Sequence, residues 1–141
     1  MILIIGVLES VILITLSLIH FNWAFVGTWG FDKALPTNEN NKRVLNPRKI
    51  DSAIVGLGLL IFGVYYLIKI RLIPVDIPSR ILNYLGWIVV IIFMIRAIGD
   101  FKYVGFFKRI KKTEFGKLDS NYFSPLCLCI ALFALVLELT H

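Results

Sequence analysis

The sequence predicts an all-α membrane protein, a bundle of four transmembrane helices with two basic cytoplasmic loops. Three observations carry that prediction. The chain has 141 residues, 58% of them hydrophobic, with a mean hydropathy of +0.83, whereas soluble domains are roughly half apolar. The apolar residues gather in long blocks rather than at amphipathic spacing, and short charge-rich stretches separate the blocks. A soluble domain of this size has too little interior to hide segments that are apolar on every face, while hydrocarbon is the solvent such faces prefer. Strands of a membrane barrel would alternate apolar and polar residues, and these blocks do not. Residues 1–141 are therefore expected to form a single integral membrane domain.

The first block runs from Met1 to about Phe25, interrupted by Glu9 and His20. At ~1.5 Å per residue it is long enough to cross ~30 Å of hydrocarbon with some tilt. It lacks the positive leader and the small-residue cleavage site of a secretory signal, so it is expected to be a retained span. The second span is expected over about 52–68, after an Asn46-Pro47 turn and with Asp51 or Ser52 as N-cap. Ser52, Gly56 and Gly63 line one side of it, which predicts a close packing face. The third, about 81–99, follows Pro78-Ser79. The fourth, about 125–139, is the shortest; Ser124-Pro125 reads as a cap with proline at the first helical position.

The flanking charges predict an orientation. Lys33, Lys42, Arg43, Arg48 and Lys49 follow the first span, and Lys102, Lys108, Arg109, Lys111, Lys112 and Lys117 follow the third. The intervening loop holds only Lys69, Arg71 and Arg80. The positive-inside rule then puts the two rich loops in the cytoplasm and both termini outside; if the fourth block does not cross, the C-terminus falls inside instead. The net charge of +6 thus belongs beside phospholipid head groups. No helix-turn-helix, zinc spacing or single-strand-binding signature supports nucleic acid as a partner. Membrane lipids are the expected partners, with Lys102, Lys108, Arg109, Lys111 and Lys112 as head-group contacts. Between Phe101 and Leu118 these cations interleave with Phe101, Tyr103, Phe106, Phe107, Ile110 and Phe115, as in a segment lying in the head-group plane.

Few side chains offer chemistry. Cys127 and Cys129 point about 200° apart on a helix and make a poor disulfide. No metal or cofactor is expected: His141 is the second and last histidine, and Gly56-x-Gly58 lacks the context of a dinucleotide fold. Ionisable groups inside spans are costly and usually face the bundle interior. Glu9 is the candidate intramembrane acid, expected neutral in lipid, and shares a helix face with His20 eleven residues on. Trp23 lies near that face, and Trp29 is expected to be an interface anchor. Arg96 and Asp100 are four apart and can pair along the third helix, although Arg96 can equally snorkel to head groups. His20, Trp23, Arg96 and Asp100 form the candidate polar site near the cytoplasmic end, where an imidazole, a cation and a carboxylate could bind an anionic head group or move a proton. Glu138, near the outer end, is expected to be solvated.

The chain resembles a family of small bacterial membrane proteins known as domain of unknown function 3995. The resemblance covers essentially the whole length. It rests on His20-Phe21-Asn22-Trp23-Ala24 with Trp29-Gly30-Phe31, on Leu45-Asn46-Pro47, on Arg96-Ala97-Ile98-Gly99-Asp100-Phe101 with Tyr103-Val104-Gly105-Phe106-Phe107, and on Tyr122-Phe123-Ser124-Pro125-Leu126-Cys127. It implies a four-span protein of the bacterial cytoplasmic membrane and brings no reaction, substrate or cofactor with it.

Three functional classes remain open. A non-enzymatic protein binding a lipid or a partner needs the fewest assumptions. A small transporter would couple to ions or protons through Glu9 or His20, as a homo-oligomer because four helices enclose little space. A membrane enzyme would act on a lipid through His20 and Asp100.

Overall fold

The computed structural model describes residues 1–28 and 30–140; Trp29 and His141, and the expectations attached to them, lie outside the described residues. Four helices account for most of the chain: α1 Ile2–Phe25, α2 Lys49–Lys69, α3 Ser79–Ile98 and α4 Glu114–Thr140. Each is long and apolar enough to cross a membrane. They pack as two antiparallel hairpins, α1 with α2 and α3 with α4, joined chiefly through α1 against α4. The described residues of 26–48 and the segment 99–113 therefore lie at one end of the bundle, and the 70–78 turn lies at the other end with Ile2 and Thr140.

The α1–α2 hairpin is zipped by small residues. Ser10 Oγ donates to the Gly63 carbonyl at 2.8 Å, and Ser17 Oγ donates to the Gly56 carbonyl at 2.6 Å. The serines and the glycines are both seven residues apart, so an antiparallel seam repeats after two turns of each helix. A side chain at Gly63 would collide with Ile14. Small residues let membrane helices approach until hydroxyls reach the neighbouring backbone, and the packing face expected from Ser52, Gly56 and Gly63 is buried.

Apolar side chains from all four helices fill the centre, including Leu13, Tyr66, Val89, Ile130 and Leu137. The outward faces carry Ile4, Val11, Leu18, Ile54, Ile61, Ile88 and Ile95, all exposed. Outer faces that apolar suit lipid rather than water.

Two element boundaries differ from expectation. Helix α2 begins at Lys49, with Asp51 Oδ2 accepting the Arg48 amide at 2.7 Å, rather than at Ser52. Helix α4 begins at Glu114, capped by Thr113 Oγ1 accepting the Gly116 amide at 2.9 Å. Ser124-Pro125, expected to open the span, lies inside it. Pro125 has no amide to donate and crowds the preceding turn. A π-helical turn over Asp119–Phe123, with the Ser124 amide on the Asp119 carbonyl, precedes it and lets the helix continue. The fourth span is thereby a long helix rather than the shortest.

Candidate functional site

Polar side chains collect in a cluster at each end of the bundle, in a deeper pair between the ends, and in a surface cleft. At the loop end, Asp119 on α4 is fully buried and gathers its donors from three segments. Arg96 Nη2 of α3 lies 2.8 Å from Asp119 Oδ1, and Lys108 Nζ lies 3.1 Å from Oδ2. The Gly105 amide at 2.7 Å and Ser124 Oγ at 3.0 Å also donate to Oδ2. Lys108 Nζ further donates to the Gly105 carbonyl at 3.0 Å and to Ser120 Oγ. A buried carboxylate holding two cations and two neutral donors is the arrangement that makes such burial tolerable. Lys108, expected among the head-group contacts, is turned inward and fully buried. Lys102, Arg109, Lys111 and Lys112 are exposed.

The loop between α3 and α4 folds tightly onto this cluster. Gly99 and Gly105 both have positive φ, 89° and 90°. A Cβ at Gly99 would overlap the Val104 carbonyl, and one at Gly105 would overlap the Ile98 carbonyl. Asp100 Oδ1 accepts the amides of Lys102, Tyr103 and Val104 at 2.9, 2.8 and 3.0 Å, bracing Phe101 in a left-handed conformation. Slight burial pushes the Asp100 carboxyl up, but the three amides outweigh it and hold the group below its usual range. The expected Arg96–Asp100 pair is thus replaced by Arg96–Asp119. The loop turns away at Gly99 and aims Asp100 at its own amides. Phe101 and Phe107 remain exposed, their rings 6.5 Å apart.

His20 belongs to a different chain of contacts. Its Nδ1 is 2.8 Å from the Leu16 carbonyl one turn earlier, and its ring lies 4.8 Å from that of Trp23. Trp23 meets Phe31 edge-on at 5.6 Å, and the Arg43 guanidinium sits 5.4 Å over Phe31 and pairs with Asp32. The structure brings His20 and Trp23 together as the root of the 26–48 loop, and gives Arg96 and Asp100 separate partners. Segment 36–44 closes as a small hairpin, with the Asn38 carboxamide oxygen accepting the amides of Asn40 and Lys42, each at 3.0 Å.

Where the two loops meet, an open cleft of about 760 Å³ is lined by Lys33, Arg43, Lys112 and Lys117 together with Asp32 and Glu114. Four cations against two acids leave it basic.

At the opposite end, Lys69 Nζ of α2 lies 2.8 Å from Glu138 Oε1 of α4, with only 3% and 2% of those side chains exposed. The Tyr65 hydroxyl is 3.0 Å from the same oxygen and 2.8 Å from the Leu82 carbonyl. Gly86 makes room, since any Cβ there would overlap the Glu138 carboxylate. Glu138 is therefore a buried partner rather than a solvated group. Glu9 is fully buried and, among the described residues, neither of its oxygens has a partner; the buried Tyr66 hydroxyl also lacks one there.

Lys69, Glu138, Tyr65, Lys108 and Asp119 were not singled out by sequence reasoning as members of a polar site. The available signal was positional: Lys69 and Glu138 end apolar blocks that must finish at the same side of a four-span bundle.

A family model described as "Protein of unknown function (DUF3995)" matches residues 13–134. No curated protein and no solved structure matches the chain.

Proposed function

The chain belongs to the DUF3995 family of proteins of unknown function, and from that premise we propose that it is a non-enzymatic membrane protein binding anionic, phosphate-bearing lipid head groups at its basic end. The observation that carries this reading is the cleft between the two loops, where Lys33, Arg43, Lys112 and Lys117 converge. A phosphate recruits several cations at once, and a cleft spanning two loops supplies them from segments distant in sequence. Lys102, Arg109 and Lys111 extend the same charge along the third loop, and exposed Phe101 and Phe107 provide apolar rings to enter the interface beside it.

The same charge distribution supports an orientation with this end in the cytoplasm of a bacterial cell and both termini outside. At the far end Lys69 is consumed by Glu138, leaving Arg71 and Arg80 as the exposed cations, so the asymmetry between the ends is sharper than the sequence count.

The test is a lipid titration of purified protein in zwitterionic-lipid nanodiscs. Added phosphatidic acid or phosphatidylglycerol raises the melting temperature in a dose- and salt-dependent way, while phosphatidylcholine does not. Lys33→Glu with Lys117→Glu abolishes most of that shift, and Arg71→Glu at the other end leaves it intact. An equal response to charged and neutral lipid, or one indifferent to the loop reversals, removes the reading.

A further inference from the structure

We propose that Glu9, with Tyr66, forms a proton-binding site inside the hydrocarbon, reached from the terminus end of the bundle through Tyr65 and the Lys69–Glu138 pair. Glu9 sits about two turns inside α1 and is fully buried, with both carboxyl oxygens unpartnered among the described residues. The Tyr66 hydroxyl, from the facing helix, is also buried and unpartnered, and it interacts electrostatically with both Glu9 and Glu138. Buried acceptors and a buried hydroxyl left without protein donors call for a small donor. An anionic carboxylate in that position would stand in low dielectric with nothing to offset its charge, so the smallest ligand that completes the site is a proton.

The groups around it are accounted for on each helix. Helix α2 presents Tyr65, Tyr66 and Lys69, and α4 presents Glu138, already engaged by Lys69 and Tyr65. The nearest cation of α3 at this end is exposed Arg80, while Arg96 lies at the opposite end on Asp119. On α1 the other titratable side chain, His20, is eleven residues away at the loop end. Among the described residues no cation is thus paired with Glu9.

The proposed route starts at the 70–78 turn. A cavity of about 160 Å³ beside the 70–78 turn is lined by Lys69, Asp76, Ser79 and Asn83, among others, which brings polar surroundings to the Lys69 side of the ion pair. From there the proposed route follows Glu138 and the Tyr65 hydroxyl, which meet at 3.0 Å, and then Tyr66, whose ring centroid is 4.7 Å from that of Tyr65. The proton stays a proton throughout: it leaves water, binds a Glu9 oxygen and returns, with no other bond made or broken.

The experiment is pH-titrated infrared difference spectroscopy of the full chain in lipid vesicles, read together with thermal stability. Wild-type protein is expected to show a protonated-carboxyl band at neutral pH that disappears in Glu9→Gln and shifts in Tyr66→Phe. Glutamine mimics the protonated acid, so Glu9→Gln melts with wild-type protein in acid, where position 9 is neutral in both, and lacks the wild type's fall in stability as pH rises from the ordinary carboxylate range. A wild-type spectrum without such a band at any pH, or a band unchanged in Glu9→Gln, overturns the proposal. If Glu9→Gln fails to assemble, that also counts against it, because a neutral isostere is then not equivalent to the native state. The lipid titration is independent of this result, since the cleft and Glu9 share no residue.

Discussion

Lys69 Nζ and Glu138 Oε1 meet at 2.8 Å with both side chains buried, so an ion pair clasps the ends of α2 and α4, helices from different hairpins. Tyr65 donates into the same carboxylate and Gly86 leaves the space it occupies. Removing one partner leaves the other charged and desolvated, which costs far more than the pair itself contributes. Lys69→Met is expected to lose about 3–5 kcal/mol, and the double change Lys69→Met with Glu138→Gln is expected to recover most of it. Equilibrium unfolding in mixed detergent checks this; strict additivity of the two single losses would remove the clasp.

Gly86→Ala is expected to act on the same clasp without touching a charge. The methyl group would occupy the position of the Glu138 carboxylate, so that carboxylate must withdraw from Lys69 or α3 must move away from α4. The variant should melt well below wild type, whereas Gly58→Ala, where a Cβ meets open space, should leave melting unchanged or slightly raised.

Asp119→Ala is expected to free the loop between α3 and α4. Lys108 would remain buried without its anion, and Arg96 would lose its partner. The expected signature is fast amide exchange across 99–113 with the α1–α2 hairpin unaffected, together with a stability loss of about 3 kcal/mol or more. Protection of that loop equal to wild type would contradict the assignment.

Asp100 is expected to give the loop a pH dependence. Its carboxyl is held low by the amides of Lys102, Tyr103 and Val104. The folded form therefore binds its proton more weakly than the unfolded chain. The stabilisation is present above the ordinary carboxylate range and is lost as pH falls below it. Those three amides should lose protection relative to their intrinsic exchange rate in acid, and Asp100→Ala should leave them unprotected at all pH values; protection in wild type that does not respond to acid would refute it.

The small-residue seam of the first hairpin predicts graded effects. Ser10→Ala and Ser17→Ala each remove one interhelical hydrogen bond and are expected to cost about 0.6 kcal/mol. Gly63→Leu drives bulk into Ile14 and should separate α1 from α2 outright. A crosslink between one cysteine introduced on each helix, formed with Gly63 present and lost only in the leucine variant, reads this directly.

Four spans were legible because blocks of continuous apolar residues have one low-energy environment, and that follows from composition without any tertiary contact. The partners of the charged residues were not legible in the same way. Arg96 has Asp100 one turn away, and the local rule favours that pair; Gly99 at positive φ turns the chain, and Asp119, more distant in sequence, takes its place. Lys108 looked like its neighbours Arg109 and Lys111, and only the fold of the loop distinguishes the inward cation from the outward ones. Pro125 gave a sound helix-start signal that a π turn overrides.

Cysteine accessibility tests the four-span arrangement most directly. With Cys127 and Cys129 replaced by alanine, single cysteines at Asn40, Arg109 and Val75 are probed with a membrane-impermeant thiol reagent in intact cells and in opened membranes. The account predicts that positions 40 and 109 label only after opening, from the cytoplasmic side, while position 75 labels in intact cells. Labelling of all three from one side would mean that the two hairpins do not both cross the bilayer.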